Sequence, residues 1–265
     1  MKMSSLAIVT FFLITGPAAS TAQKSRDFNR TADLPGDGTV IIETYKGSIT
    51  VTTWEKPSVS IAATIEADGT SSEQDEFVKE TEIRVNESHD QIRIESDYDR
   101  IKHRHTRSFL GLFNVDNYTL PFVHYRISMP KTARLEINDY KSDTHVDGLR
   151  AHLRLETYKG TVDVKNFEGS LSLETYKGEV HLGLVRLSGE SRLETGKGSI
   201  EVAFAPSAGC TLAMNLGRHA DLESDVETVV RHKRHDDEEY RSEIAGGGPV
   251  LNIETDRGTV RLRKL

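Results

Sequence analysis

His145, Asp163, His181 and Glu201 follow one another at steps of 18, 18 and 20 residues. On successive turns of a repeat they would form one outward column, with two imidazoles flanking a carboxylate. Nitrogen and oxygen donors of that kind suit a transition metal. Each strand supplies a single ligand, however, and no supporting partners are evident, so the column reads as a hydrogen-bonding ladder on a solvated face. The clusters His103-Arg104-His105 and His232 to His235 lie among arginines and lysines that repel a cation, and they read as charged loops. Neither a metal nor a cofactor is expected. A second column, Glu156, Glu174 and Glu194, repeats carboxylates at the same pitch. Glycoside hydrolysis needs two carboxyls of unlike pKa in a groove, whereas an even column suggests structure. Cys210 is the single cysteine, so no intrachain disulfide forms, and its setting in Cys-Thr-Leu-Ala-Met marks a buried strand residue. Gly246 to Gly248 lead into Pro249 and a strand, where a phosphate cradle leads into a helix. With no Gly-x-Ser-x-Gly present, the chain is not expected to be an enzyme.

The elements that position these residues come from an internal repeat. Leu153 to Gly160 reads Leu-Arg-Leu-Glu-Thr-Tyr-Lys-Gly, and Leu171 to Gly178 repeats seven of those eight residues. Weaker copies begin at Ile42, Ile137, Leu193 and Ile253. Self-similarity at a fixed period dictates architecture. Period-two alternation predicts a strand, Lys-Gly a turn, and Val162-Asp163-Val164 a second strand. Gly148, Gly169 and Gly189 mark the returns, where left-handed backbone favours glycine. The expectation is an all-β parallel β-solenoid, or β-helix, of about 18–20 residues per coil with an N-terminal β-rich region. Leu153, Leu155, Leu171, Leu173 and Leu193 would line its interior, with in-register strands about 4.8 Å apart. Outside, the glutamate column would repel itself, offset by Arg154, Arg192 and the lysines at 159, 177 and 197. Tyr140, Tyr158 and Tyr176 would stack beside it. The face made of Tyr140, Tyr158, Tyr176, Lys141, Lys159, Lys177, Glu156 and Glu174 is the candidate partner-binding surface. Open solenoid ends would expose strand edges and permit self-association, which Arg261, Arg263 and Lys264 oppose.

Residues 1–22 read as a signal peptide: Lys2, an apolar run from Leu6 to Ile14, and Ser20-Thr21-Ala22. The run is too short to span a bilayer, and an uncleaved anchor is the alternative. No other long apolar stretch follows, so no transmembrane segment is expected after cleavage. Export to the periplasm or cell surface is expected. Residues 23–35 read as a disordered lead, 36–130 as an N-terminal β-rich part, and 131–265 as the repeats, with a charged excursion near 225–242. Ser72, three residues before Asp75, predicts one short helix. An insertion near 97–117 carries Lys102, Arg104 and Arg107 and then the apolar Phe109 to Phe113. It reads as cover for an end of the sheet, or else as a membrane or partner contact. The net charge of -7 argues against nucleic acid.

Further motifs are the Leu-x-x-x-Thr-x-x-Gly-x-Val units, Gly47 to Trp54 (Gly-Ser-Ile-Thr-Val-Thr-Thr-Trp), Tyr125 to Pro130 and Gly246 to Val260. With these, the chain resembles the bacterial adhesin-like family of exported β-solenoids, a domain of unknown function, over roughly Pro35 to Leu265. The resemblance implies a non-catalytic envelope role. The insertion near 101–113 and the excursion near 225–242 depart from the family pattern and inherit no role. The function expected is a binding or structural module for an unknown protein or glycan of the cell envelope. An envelope-stress sensor or regulatory partner is the alternative, and a polysaccharide-active β-helix enzyme a weaker one.

Overall fold

Alternation of apolar and polar residues runs through most of the chain, and the backbone follows it as strand. The structure, a computed structural model, describes residues 24–105, 118–227, 229–233 and 237–265. The signal-peptide reading, the Phe109–Phe113 patch and Arg234-His235-Asp236 lie outside the described residues.

The first elements are β1 (Ser25–Asp33), β2 (Thr39–Glu43), β3 (Lys46–Trp54), β4 (Ser58–Glu66) and α1 (Ser72–Glu80). Then come β5 (Glu82–Glu87), β6 (Gln91–Asp97), α2 (Asp99–His105), β7 (Phe122–Pro130) and β8 (Arg134–Asp147). The repeats supply β9 (Leu153–Lys159), β10 (Val162–Gly169), β11 (Leu171–Lys177), β12 (Val180–Leu187), β13 (Ser191–Lys197) and β14 (Ile200–Phe204). The chain ends with β15 (Cys210–Ser224), β16 (Val229–Lys233), β17 (Asp237–Ile244) and β18 (Val250–Lys264). Strand makes up 67% and helix 6%, so the fold is all-β.

The open solenoid is corrected: the strands close into an eight-strand parallel β-barrel with extra strands. The closure can be followed strand by strand. From β8 the parallel pairing runs through β9, β11, β13 and β18, and returns through β14, β12 and β10 to β8. The cause is the length of β8 and β18, 14 and 15 residues. Each passes through the corner where the other repeats turn, so each joins both arms of the ring. Within the ring, repeat-equivalent residues face one another: Leu171 pairs Leu153, and Leu173 pairs both Leu155 and Leu193. Their side chains, with Val162, Val164, Val180 and Leu182, fill the interior and are essentially buried.

The N-terminal strands extend both arms. β2 and β6 add parallel beside β8, as do β3 and β7, and antiparallel β5, β4 and β1 follow at the margins. The disordered lead is therefore also corrected, since Ser25–Asp33 is a strand paired with β4. Its sequence is almost wholly polar because both its faces are largely exposed. The helix at 72–80 forms, with Ser71 rather than Ser72 as its cap: the Ser71 hydroxyl accepts from the Gln74 N–H at 3.2 Å. Phe77 and Val78 turn into the core. In the insertion, Asp99–His105 is helical, and Ile101 is buried. The charged excursion becomes the β16–β17 hairpin, antiparallel on β15.

Candidate binding face

Where each repeat turns, Tyr, Lys and Gly follow one another, and in-register pairing stacks each type upon its counterpart. Tyr45, Tyr140, Tyr158 and Tyr176 form one continuous pile, with ring centroids 4.9, 4.9 and 5.0 Å apart and interplanar angles of 6°, 2° and 14°. Near-parallel rings at this distance attract one another. The pile is closed at both ends. Tyr98 meets Tyr45 edge-on at 6.5 Å, and the Lys197 ammonium lies 5.5 Å from the Tyr176 ring centre. Gly196 stands where a fifth tyrosine would continue the pile, which leaves the outer face of Tyr176 to Lys197. Ring faces are therefore covered, and the exposed parts, 40–46% of each residue, are the edges.

The structure brings all eight predicted face residues together. It adds Tyr45, whose signal was the Ile-Glu-Thr-Tyr-Lys-Gly copy at 42–47. Glu156 and Glu174 pair with each other across β9 and β11, on the opposite side of the tyrosines from the lysines. Neutralisation of the glutamate column differs from expectation. Arg154 Nε lies 3.1 Å from Glu156, while Arg192 reaches Glu194 at 3.0 Å and Glu254 at 3.2 Å. The lysines take no part in it. Lys141, Lys159 and Lys177 are exposed, paired in register, and form no ion pair with a described residue. Lys46, the first of the column, is buried, with its ammonium 2.6 Å from Asp68 and 4.2 Å from the Phe122 ring centre. That ammonium holds Asp68 below the usual carboxylate range.

A groove of about 470 Å³ follows the tyrosine pile on its acidic side, between Tyr140, Tyr158, Tyr176 and Glu156, Glu174. A wider cleft of about 830 Å³ opens on the lysine side, around Tyr45, Lys141, Lys159 and Thr119. Under the groove runs a column of inward hydroxyls, Thr157, Thr175, Thr195 and Thr255, in which Asp139 takes the first place. Burial pushes the Asp139 carboxyl up to about 7, opposed by the Thr157 hydroxyl, which donates to Asp139 Oδ1 at 3.0 Å. Asp139 Oδ2 is buried with no hydrogen-bond partner. Asp139 also lines the groove beside Tyr140 and Thr157, so this carboxyl, raised toward neutrality, stands at the groove floor.

The His–Asp column is also assembled, with Asp163 between His145 and His181 and then Glu201. His145 Nδ1 is 3.2 Å from Asp163 Oδ2, and the Lys165 ammonium is 3.0 Å from the same oxygen. An ammonium on the central carboxylate competes directly with a cation. Among the described residues no cluster of three or more metal-capable side chains is present. Cys210 is buried, and burial pushes its thiol up to about 11, far from the thiolate a nucleophile requires.

This barrel and its corner columns define an all-β domain. The chain belongs to the Toastrack DUF4097 family, whose model matches residues 37–263. No curated protein matches it. Among solved structures it is similar to a candidate cell adhesion protein from Clostridium sporogenes, at 12% identity over 91% of this chain and 100% of that one, with a TM-score of 0.48. A candidate adhesin from Bacteroides fragilis aligns at 13% identity over 91% and 97% of the two chains, with a TM-score of 0.30. A candidate lipid-binding protein from Parabacteroides distasonis aligns at 11% over 89% and 96%, with a TM-score of 0.26.

Proposed function

We propose that this protein is a non-catalytic, exported, adhesin-like binding module that holds an envelope component on its tyrosine face. The observation that carries the reading is the tyrosine pile. Among the described residues, its four members are the only large hydrophobic side chains left exposed besides Leu265, and they lie in one line rather than scattered. Aromatic side chains displayed together on a rigid sheet supply contact area with little conformational entropy to lose. The non-catalytic part is supported by the pairing of Glu156 and Glu194 with Arg154 and Arg192, which engages two carboxylates of the column.

Two variants test the reading. Tyr140, Tyr158 and Tyr176 all changed to Ser remove the pile; all changed to Phe keep the stacking and remove only the hydroxyls. Binding of the purified chain to isolated envelope fractions is expected to fall for the Ser variant, with thermal melting confirming that it remains folded. Unchanged capture by the folded Ser variant would remove the face as a binding site.

A further inference from the structure

Building on that reading, we infer that the lysine row and the adjoining tyrosine edges bind a linear acidic polysaccharide, its carboxylate-bearing sugars running across the strands from Lys141 toward Lys177. Charge comes first. Within the glutamate column Glu156 and Glu194 are paired with Arg154 and Arg192 on their own side, and Lys46 is engaged by Asp68. Lys141, Lys159 and Lys177 are left as an exposed row that nothing described neutralises by an ion pair. Three ammoniums at the strand spacing of about 4.8 Å repel one another and attract an external anion.

Shape narrows the class of anion. Single-stranded nucleic acid is held by stacking its bases on open aromatic faces, and here each tyrosine face is covered by a neighbour, by Tyr98 or by Lys197. What remains are phenol edges, whose hydroxyls both donate and accept, with Glu156 and Glu174 as acceptors beyond them. Sugar hydroxyls need that mixture. The Tyr–Lys pair also recurs three times at one spacing, at Tyr140-Lys141, Tyr158-Lys159 and Tyr176-Lys177. A site with translational repetition fits a ligand with translational repetition, which a polymer of uronic acids has and a single small molecule lacks.

The test titrates the purified protein with polygalacturonate, with the methyl-esterified form of the same polymer, and with anionic phospholipid vesicles. Polygalacturonate is expected to bind, the ester and the vesicles weakly or not at all, and binding to weaken as salt rises. Lys141→Gln, Lys159→Gln and Lys177→Gln together remove three charge-assisted bonds and are expected to weaken binding by at least roughly tenfold. Lys165→Gln, a lysine on the histidine column, is expected to leave it unchanged. Equal binding of ester and acid, equal binding by the triple lysine variant, or preference for the vesicles would each overturn the inference. Absence of polygalacturonate binding alongside a loss of envelope capture in the tyrosine-to-serine variant would sink the acidic-glycan assignment while leaving the binding face in place.

Discussion

At the scale of single residues, two positions decide whether the corner can be built. Gly160 has φ 146°, and a Cβ there would lie 1.9 Å from the Ser142 carbonyl oxygen of the neighbouring coil. Gly160→Ala therefore combines backbone strain with a collision that no side-chain motion relieves. It is expected to destabilise by roughly 2–4 kcal/mol in urea unfolding. Gly189→Ala is the contrast, because its Cβ would meet nothing closer than 3.7 Å. A change within about 0.5 kcal/mol is expected there. The sequence grouped Gly148, Gly169 and Gly189 as left-handed returns, yet only Gly148 has such a φ. Gly169 is required instead by close approach to the Ala151 carbonyl, a demand set by the neighbouring coil and invisible in local composition. Asp139 is the second position. Its folded pKa, raised to about 7 from 3.8, means that between those values the folded chain holds a proton which the unfolded chain has released. Stability contributed by this group is thus present at acid pH, declines as pH rises from about 4 to 7, and is level above. Asp139→Asn should flatten that decline in unfolding curves taken from pH 4 to 8; an unchanged slope would show that Asp139 is not its source.

At the scale of elements, the tyrosine pile makes its own energetic statement. Tyr158 has stacked neighbours on both sides, while Tyr176 has one ring and one ammonium. At about 0.5–1.5 kcal/mol per aromatic pair, Tyr158→Ser is expected to lose about 1–3 kcal/mol and Tyr176→Ser about half of that. Equal losses in thermal or urea unfolding would mean that the exposed rings contribute no stacking energy. This column was legible in the sequence because repeat-equivalent residues pair in register, and so were the core leucines. Ring closure was not. It rests on β18 meeting both β13 and β14 across the intervening residues 205–249, pairings that leave no trace in local alternation. The continuity of β8 was not signalled locally either: Ser142 takes the place that Gly160 and Gly178 hold in later repeats, but β18 runs unbroken through Gly258 at the same place. β1 was missed because an edge strand exposed on both faces carries no apolar alternation, and its pairing to β4 is carried mainly by the backbone ladder.

At the scale of the whole molecule, the ring and its margins do different work. Six ring strands pair only with other ring strands, while β8 and β18 also carry added strands, β2 and β3 on one and β15 on the other. On the C-terminal side β15 lies beside β18, and its other edge, from Cys210 to Gly217, is covered by β17. An uncovered edge with Leu212, Met214 and Leu216 along one face would be a template for a second chain. The densely charged stretch at 225–242 therefore has a structural task that its composition did not announce: its strands β16 and β17 supply the hairpin that closes this edge. Replacing residues 228–242 by a Gly/Ser linker of equal length keeps the return path, which must run back along β15, but removes the covering strand. The ring should survive, because β13 and β14 still close onto β18, and far-UV circular dichroism should retain most of the strand signal. Sedimentation velocity is expected to show association that grows with protein concentration and is absent from the wild type measured alongside. A variant that stays folded and monomeric at every concentration would mean that the β15 edge is guarded by something other than the hairpin.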